Sequence, residues 1–220
     1  MLATVLKSAT THLIIVRHGE TVWNADGRHQ GHLDSELTER GVQQAHALAE
    51  RLAADRFLAL YSSDLGRAIK TAQIIGARSG HTILIDARLR ERNLGIFHGL
   101  TREQMRDRFP KEFEQYRRDP DYVIPQGEST TERTTLNMDC LRELAKKHTG
   151  ERIAIVGHGG LLHSVFRSVL ELPVTQGRRY SLANGSFNVV SVSGNGRWQI
   201  ETWGDVSHLR ALATTDDLLY

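Results

Sequence analysis

The sequence predicts an α/β protein with a mostly parallel central sheet, helices on both faces, an antiparallel edge hairpin near the C-terminus and a helical insertion. Three observations carry that expectation. Short apolar runs rich in β-branched residues recur along the chain, as buried parallel strands require. Segments of helical period separate most of them, and near the end the pattern turns to alternation around a glycine-rich turn. Repetition of strand, helix, strand forces parallel pairing with right-handed crossovers.

Residues 13–16, 57–61, 83–85 and 153–156 are the strand runs. A helix is predicted over 38–54, where Leu37, Val42, Ala45, Leu48, Ala49 and Leu52 recur every three or four residues and Thr38 suits the N-cap. Residues 64–77 repeat the pattern with Leu65, Ala68, Ile69, Ala72 and Ile75, capped by Asp64 or Ser63. Between 101 and 131 the text becomes charged and dotted with aromatics, and holds Pro110, Pro120 and Pro125. It reads as an insertion or lid over the sheet. Helices at about 131–148 and 161–170 flank the fourth strand, the second stopping before Pro173. Residues 187–192 and 197–203 alternate around Ser193-Gly194-Asn195-Gly196, a hairpin signal.

With 220 residues, one large domain is expected over 1–220. Lysine and arginine number 28 against 26 aspartate and glutamate, a net charge of +2 too even for binding nucleic acid by phosphate neutralisation. The single cysteine, Cys140, permits neither an internal disulfide nor a cysteine-based zinc site and reads as a small buried hydrophobe. No apolar run nears the roughly 18 residues of a membrane span, and the first eleven residues are too weakly apolar for a secretory signal. A cytoplasmic protein is expected.

In open α/β sheets ligands sit beyond the carboxyl ends of the strands. There the sequence places Arg17-His18-Gly19-Glu20, then Ser62-Ser63-Asp64 with Arg67, then Asp86, Arg88, Arg90 and Glu91, and finally Gly157-His158-Gly159-Gly160. This inventory suits a phosphoryl group. Guanidinium forks hold phosphate oxygens, a neutral imidazole can attack phosphorus, and glycines let backbone amides approach an anion.

The motifs VRHGETVWN at 16–24, SSDLGRAIKTA at 62–72, LRERNLGIFHGL at 89–100, PQGES at 125–129 and VGHGG at 156–160 resemble the histidine phosphatase superfamily in its phosphoglycerate-mutase-like branch. The resemblance covers about residues 12–208. It implies that His18 is the nucleophile that becomes phosphohistidine, that Arg17, Arg67 and His158 hold the transferring phosphoryl, and that Glu91 is the proton donor. It places Asn24, Gln30, Gly31 and Gly159 on the substrate side. A small phosphorylated metabolite is the implied partner, with no metal or other cofactor, no nucleic acid and no membrane. A homodimer is compatible with the edge strand and the lid.

Other readings weigh against these. Glu91 sits among Arg88, Arg90 and Arg92, where a surface ion-pair cluster is the ordinary explanation. Glu20 is either a second carboxylate near the site or a structural acceptor. The remaining histidines, His29 and His163 among them, read as surface or core fillers, and the five-residue spacing of His158 and His163 is wrong for zinc on a helix. In the insertion, Arg102, Arg106, Arg108, Lys111, Arg117 and Arg118 nearly balance Glu103, Asp107, Glu112 and Glu114, as in a solvated helix pair, although Arg117-Arg118 could touch an anionic substrate. Asn184-Gly185-Ser186 reads as a turn. The leading function is hydrolysis of small phosphomonoesters, favoured by the short lid and by Arg92-Asn93-Leu94, which lacks the tyrosine of family mutases. A phosphoglycerate mutase and a non-catalytic phosphate-binding or interaction module are the alternatives.

Overall fold

Six strands form one sheet in the computed structural model, which describes residues 9–173 and 179–212. In chain order they are β1 (Thr10–Arg17), β2 (Leu60–Ser62), β3 (Ile83–Ile85), β4 (Arg152–Gly157), β5 (Phe187–Ser193) and β6 (Trp198–Asp205). The spatial order is β3-β2-β4-β1-β5-β6. The first four are mutually parallel, and β5 and β6 join antiparallel at the β1 side, as the alternating C-terminal pattern predicts.

The helices are α1 (Val22–Ala25), α2 (Glu39–Ala54), α3 (Gly66–Ser79), α4 (Arg102–Arg108), α5 (Pro110–Arg118), α6 (Thr130–Lys147) and α7 (Gly159–Val169). They cover both faces of the sheet. Leu13 and Ile15 of β1 pack with Leu141 and Leu144 of α6 and Leu161 and Val165 of α7, whereas Ile14 and Val16 pack with Leu48 and Leu52 of α2 and Ala72 and Ile75 of α3. Successive strand side chains point to opposite faces, so a strand buried on both is apolar throughout. A third cluster, Leu94, Phe97, Met105, Phe113 and Ile124, gives the insertion helices α4 and α5 their own apolar support.

Three details differ from the sequence expectation. The run at 57–61 contributes a strand only from Leu60, and Leu58 is exposed. β3 is an edge strand with Leu84 and Ile85 exposed, because only β2 borders it. Neither Ser63 nor Asp64 caps α3: Leu65 takes that position, and Asp34 accepts from the amides of Gly66 at 2.8 Å and Arg67 at 3.3 Å. Asp64 pairs instead with Arg90. Thr38 caps α2 as expected, and Cys140 is fully buried. Among the described residues no helix is long and apolar enough to cross a membrane.

Candidate active site

At the carboxyl ends of the parallel strands lies a cavity of about 740 Å³ whose wall includes Arg17, His18, Arg67, Glu91 and Gly159, with Asn24, Gln30 and Gly31 on one side. The turn after β1 delivers His18. Its ring is buried, and Nδ1 stands 2.7 Å from the carbonyl oxygen of Gly19. A carbonyl only accepts, so Nδ1 carries the proton and Nε2 keeps its lone pair. Burial, then the charges of Arg67 and Arg17, hold His18 well below the usual imidazole value, against the Gly19 carbonyl. The ring is therefore neutral at physiological pH.

Arg67, at the start of α3, is almost wholly enclosed. It donates from Nη1 to the Leu33 carbonyl at 2.8 Å and to Asp34 at 2.6 Å, and from Nη2 to the Gly31 carbonyl at 2.8 Å. Its Nε is buried without a hydrogen-bond partner. Gly31 thus acts through its carbonyl, at a positive φ of 55° that favours glycine. Arg17 anchors itself by donating to the Leu182 carbonyl.

Glu91 is not part of a surface ion-pair cluster. Its carboxylate accepts from the amides of Gly160 at 2.9 Å and Arg92 at 2.8 Å. Burial pushes its pKa up, but those two amides with Arg67 and Arg17 outweigh burial and leave the carboxyl below its ordinary value. Glu91 is ionised in the free protein.

His158 stands behind His18 rather than in the cavity wall, with ring centroids 5.2 Å apart. Its Nε2 meets the Ser63 hydroxyl at 2.8 Å, and Nδ1 is buried without a partner. Burial, then Arg67 and His18, hold this ring well below the usual value too. Gln30 spends its amide on the scaffold, donating to Thr21 Oγ1 at 2.7 Å and accepting from Ser35 at 3.2 Å. Glu20 accepts from the Thr38 hydroxyl at 2.8 Å, which assigns it a structural role.

The cavity wall also includes residues that the sequence reading did not assign to the site, apart from Arg117 and Arg118, which it allowed to touch an anionic substrate. Arg102, Arg117 and Arg118 of the insertion face it, together with Arg28, Arg92 and Arg133, and so do His29 and His163. Arg133 is neutralised by Glu128 at 2.7 Å, and the Arg92 guanidinium lies 4.7 Å over the Tyr116 ring. Glu91 is the one acid among the described lining residues. Charge counting along the insertion hid this asymmetry, because its acids are not in the wall: Glu103 and Asp107 pair with Arg106 outside it, while Glu114 pairs with Arg118 and Arg117. Among the described residues no three His, Cys, Asp or Glu side chains gather as metal ligands would.

Comparison with known proteins gives this geometry its context. Residues 13–206 match the family model of the histidine phosphatase superfamily (branch 1). The chain is 43% identical to phosphoglycerate mutase-like protein 4 of Arabidopsis thaliana over 203 residues, 90% of this chain and 86% of the relative. It is 40% identical to the metal-independent phosphoserine phosphatase of the same plant over 212 residues, 94% and 87% of the two chains. Among solved structures, the mycobacterial glucosyl-3-phosphoglycerate phosphatase complexed with VO3 superposes with a TM-score of 0.78 at 33% identity, over 88% of this chain and 98% of that one. A match running through nearly all the strands and helices described above, backed by relatives of 40% identity or more, establishes that the chain belongs to branch 1 of the histidine phosphatase superfamily.

Proposed function

We propose that the protein is a metal-independent phosphatase that hydrolyses small phosphomonoesters through a phosphohistidine on His18. The observation that carries this reading is the bare, neutral Nε2 of His18, fixed by the Nδ1 contact to Gly19 and set in one cavity with Arg17, Arg67 and Glu91.

Nε2 attacks phosphorus, the ester P–O bond breaks, and the leaving oxygen takes a proton from Glu91. Glu91 starts ionised, so that proton arrives with the substrate as the phosphate monoanion and passes through the carboxyl. Water then attacks the phosphohistidine while Glu91 accepts its proton; the P–N bond breaks and neutral His18 returns. Arg17 and Arg67 hold the charge on the transferring oxygens throughout, the buried and unpartnered Nε of Arg67 is a further donor assigned to them, and His158 backs the His18 ring. A loose phosphoryl transition state needs positioning and charge more than covalent help.

The leaving-group side carries Arg28, Arg102, Arg117 and Arg118 and no acid beyond Glu91. This supports a carboxylate-bearing leaving group, with a phosphorylated hydroxy or amino acid as the substrate, in line with the relatives named for phosphoserine and glucosyl-3-phosphoglycerate. A mutase reading has the relative named phosphoglycerate mutase-like in its favour.

Chelator-treated protein is expected to release phosphate from an aryl phosphate and from phosphoserine, and to carry an acid-labile phosphoryl group that His18→Ala lacks. Full activity in His18→Ala would remove the proposal. Interconversion of 3- and 2-phosphoglycerate primed by a bisphosphate, exceeding hydrolysis, would replace it with the mutase reading, and binding without turnover would replace it with a binding module.

A further inference from the structure

Because β5 runs antiparallel beside β1, with Phe187 opposite Val16, the residues just before it lie next to the nucleophile turn. There the side-chain amide of Asn184 donates to the carbonyl of His18 at 3.0 Å and of Gly19 at 3.4 Å, and to Oδ1 of Asn24 at 3.1 Å. The assignment of each amide atom is forced. Carbonyl oxygens only accept, so the Asn184 atom that faces them is its NH2. The Asn24 atom it meets also receives the backbone N–H of Thr21 at 3.2 Å and the Thr21 hydroxyl at 3.1 Å, and a backbone N–H only donates, so that atom is the oxygen. Three donors on one oxygen fix the amide plane.

Asn24 lines the cavity that contains His18, and among the described residues no hydrogen bond within the chain engages its Nδ2. We propose that Asn184 is a positioning residue, locking Asn24 so that its NH2, and not its oxygen, is presented to the phosphoryl group. The proposal rests on the phosphoryl chemistry proposed above and goes beyond it: Asn184 lies outside the cavity wall and acts through Asn24. Without it, Thr21 alone holds the amide, and a flipped Asn24 would set a carbonyl oxygen against the phosphoryl oxygens. The NH2 of Asn184 also shares the Gly19 carbonyl with His18 Nδ1, so one side chain steadies both partners of the nucleophile turn.

The test is a double-mutant cycle on the full chain. Asn184→Ala is expected to lower kcat about 10-fold with KM changed less than about twofold, and Asn184→Asp, which replaces the donor with an acceptor of the same size, about 100-fold, the loss typical of one preorganised donor. In an Asn24→Ala background, Asn184→Ala should cost less than about twofold. An unchanged kcat in Asn184→Asp, or an equal cost of Asn184→Ala in both backgrounds, would overturn the role. The same cycle read as orthovanadate affinity does not need turnover. Failure of the unsubstituted protein to turn over would remove the phosphatase reading, while the vanadate cycle would still decide whether Asn184 acts through Asn24; no vanadate binding, or equal losses in both backgrounds, would count against it.

Discussion

The amide of Gly160 donates to Oε2 of Glu91 at 2.9 Å, and a β-carbon at position 160 would lie 2.0 Å from the other oxygen of the same carboxylate. Glycine is therefore required there by the carboxylate it holds, and Gly160→Ala must displace Glu91. We expect this variant to lose kcat on an alkyl phosphate about 100-fold, close to the loss in Glu91→Gln, because protonation by a positioned acid contributes on the order of 10²- to 10⁴-fold. Activity on an aryl phosphate, whose leaving group needs little protonation, should fall less in both. Equal losses on the two substrates in steady-state assays would refute a proton-transfer role for Glu91.

The charge states of His18 and Glu91 fix the pH dependence. His18 is held well below its ordinary value, so it stays neutral and nucleophilic under mildly acidic conditions. Glu91 is held below its own, so it is ionised there, and the leaving-group proton must come with the substrate. A phosphate monoester loses its second proton near pH ~6. The value of kcat/KM for an alkyl phosphate should therefore fall as pH rises past about 6 to 7 and persist on the acid side to below the ordinary imidazole value of about 6.5. A pH profile peaking above 8 would contradict this.

Asp34 joins the stability of α3 to the placement of Arg67. It accepts from the first amides of the helix and from the buried guanidinium at 2.6 Å. Asp34→Ala removes a helix cap, which costs about 1 kcal/mol, and leaves the enclosed Arg67 with backbone carbonyls alone. We expect a lower melting temperature together with at least about a 10-fold loss of kcat/KM, and partial recovery of stability in Asp34→Asn. A variant with unaltered rate would show that Arg67 is held by Leu33 and Gly31 without help.

The sequence was most legible where the signal is local. The apolar run at 13–16 marks a strand buried on both faces, and β1 is that strand. Thr38 lies next to the helix it caps. The strand-end rule brought Arg17, Arg67 and Glu91 to the cavity that holds His18. It also brought His158, though into a supporting place behind the nucleophile.

Local signals failed where the partner lies far along the chain. Ser63 and Asp64 are near α3, but Asp34 arrives from a distant loop and takes the amides. The run at 83–85 resembles β1 in composition, yet its place at the sheet edge leaves Leu84 and Ile85 exposed. The arginines of the insertion balance its acids in the sequence, whereas in the packed insertion Arg102, Arg117 and Arg118 stand in the cavity wall and Glu103, Asp107, Glu112 and Glu114 do not.

The sequence by itself determined the alternation of strands and helices, the C-terminal hairpin and the residue types for phosphoryl chemistry, because period and turn chemistry act between near neighbours. Tertiary structure alone decided which ring nitrogen of His18 is bare, what holds Glu91 ionised, and that Asn184 meets the nucleophile turn from 166 residues away. Hydrogen bonds and burial depend on which groups the closed fold brings within about 3 Å of each other, and a pattern along the chain carries no trace of such pairs.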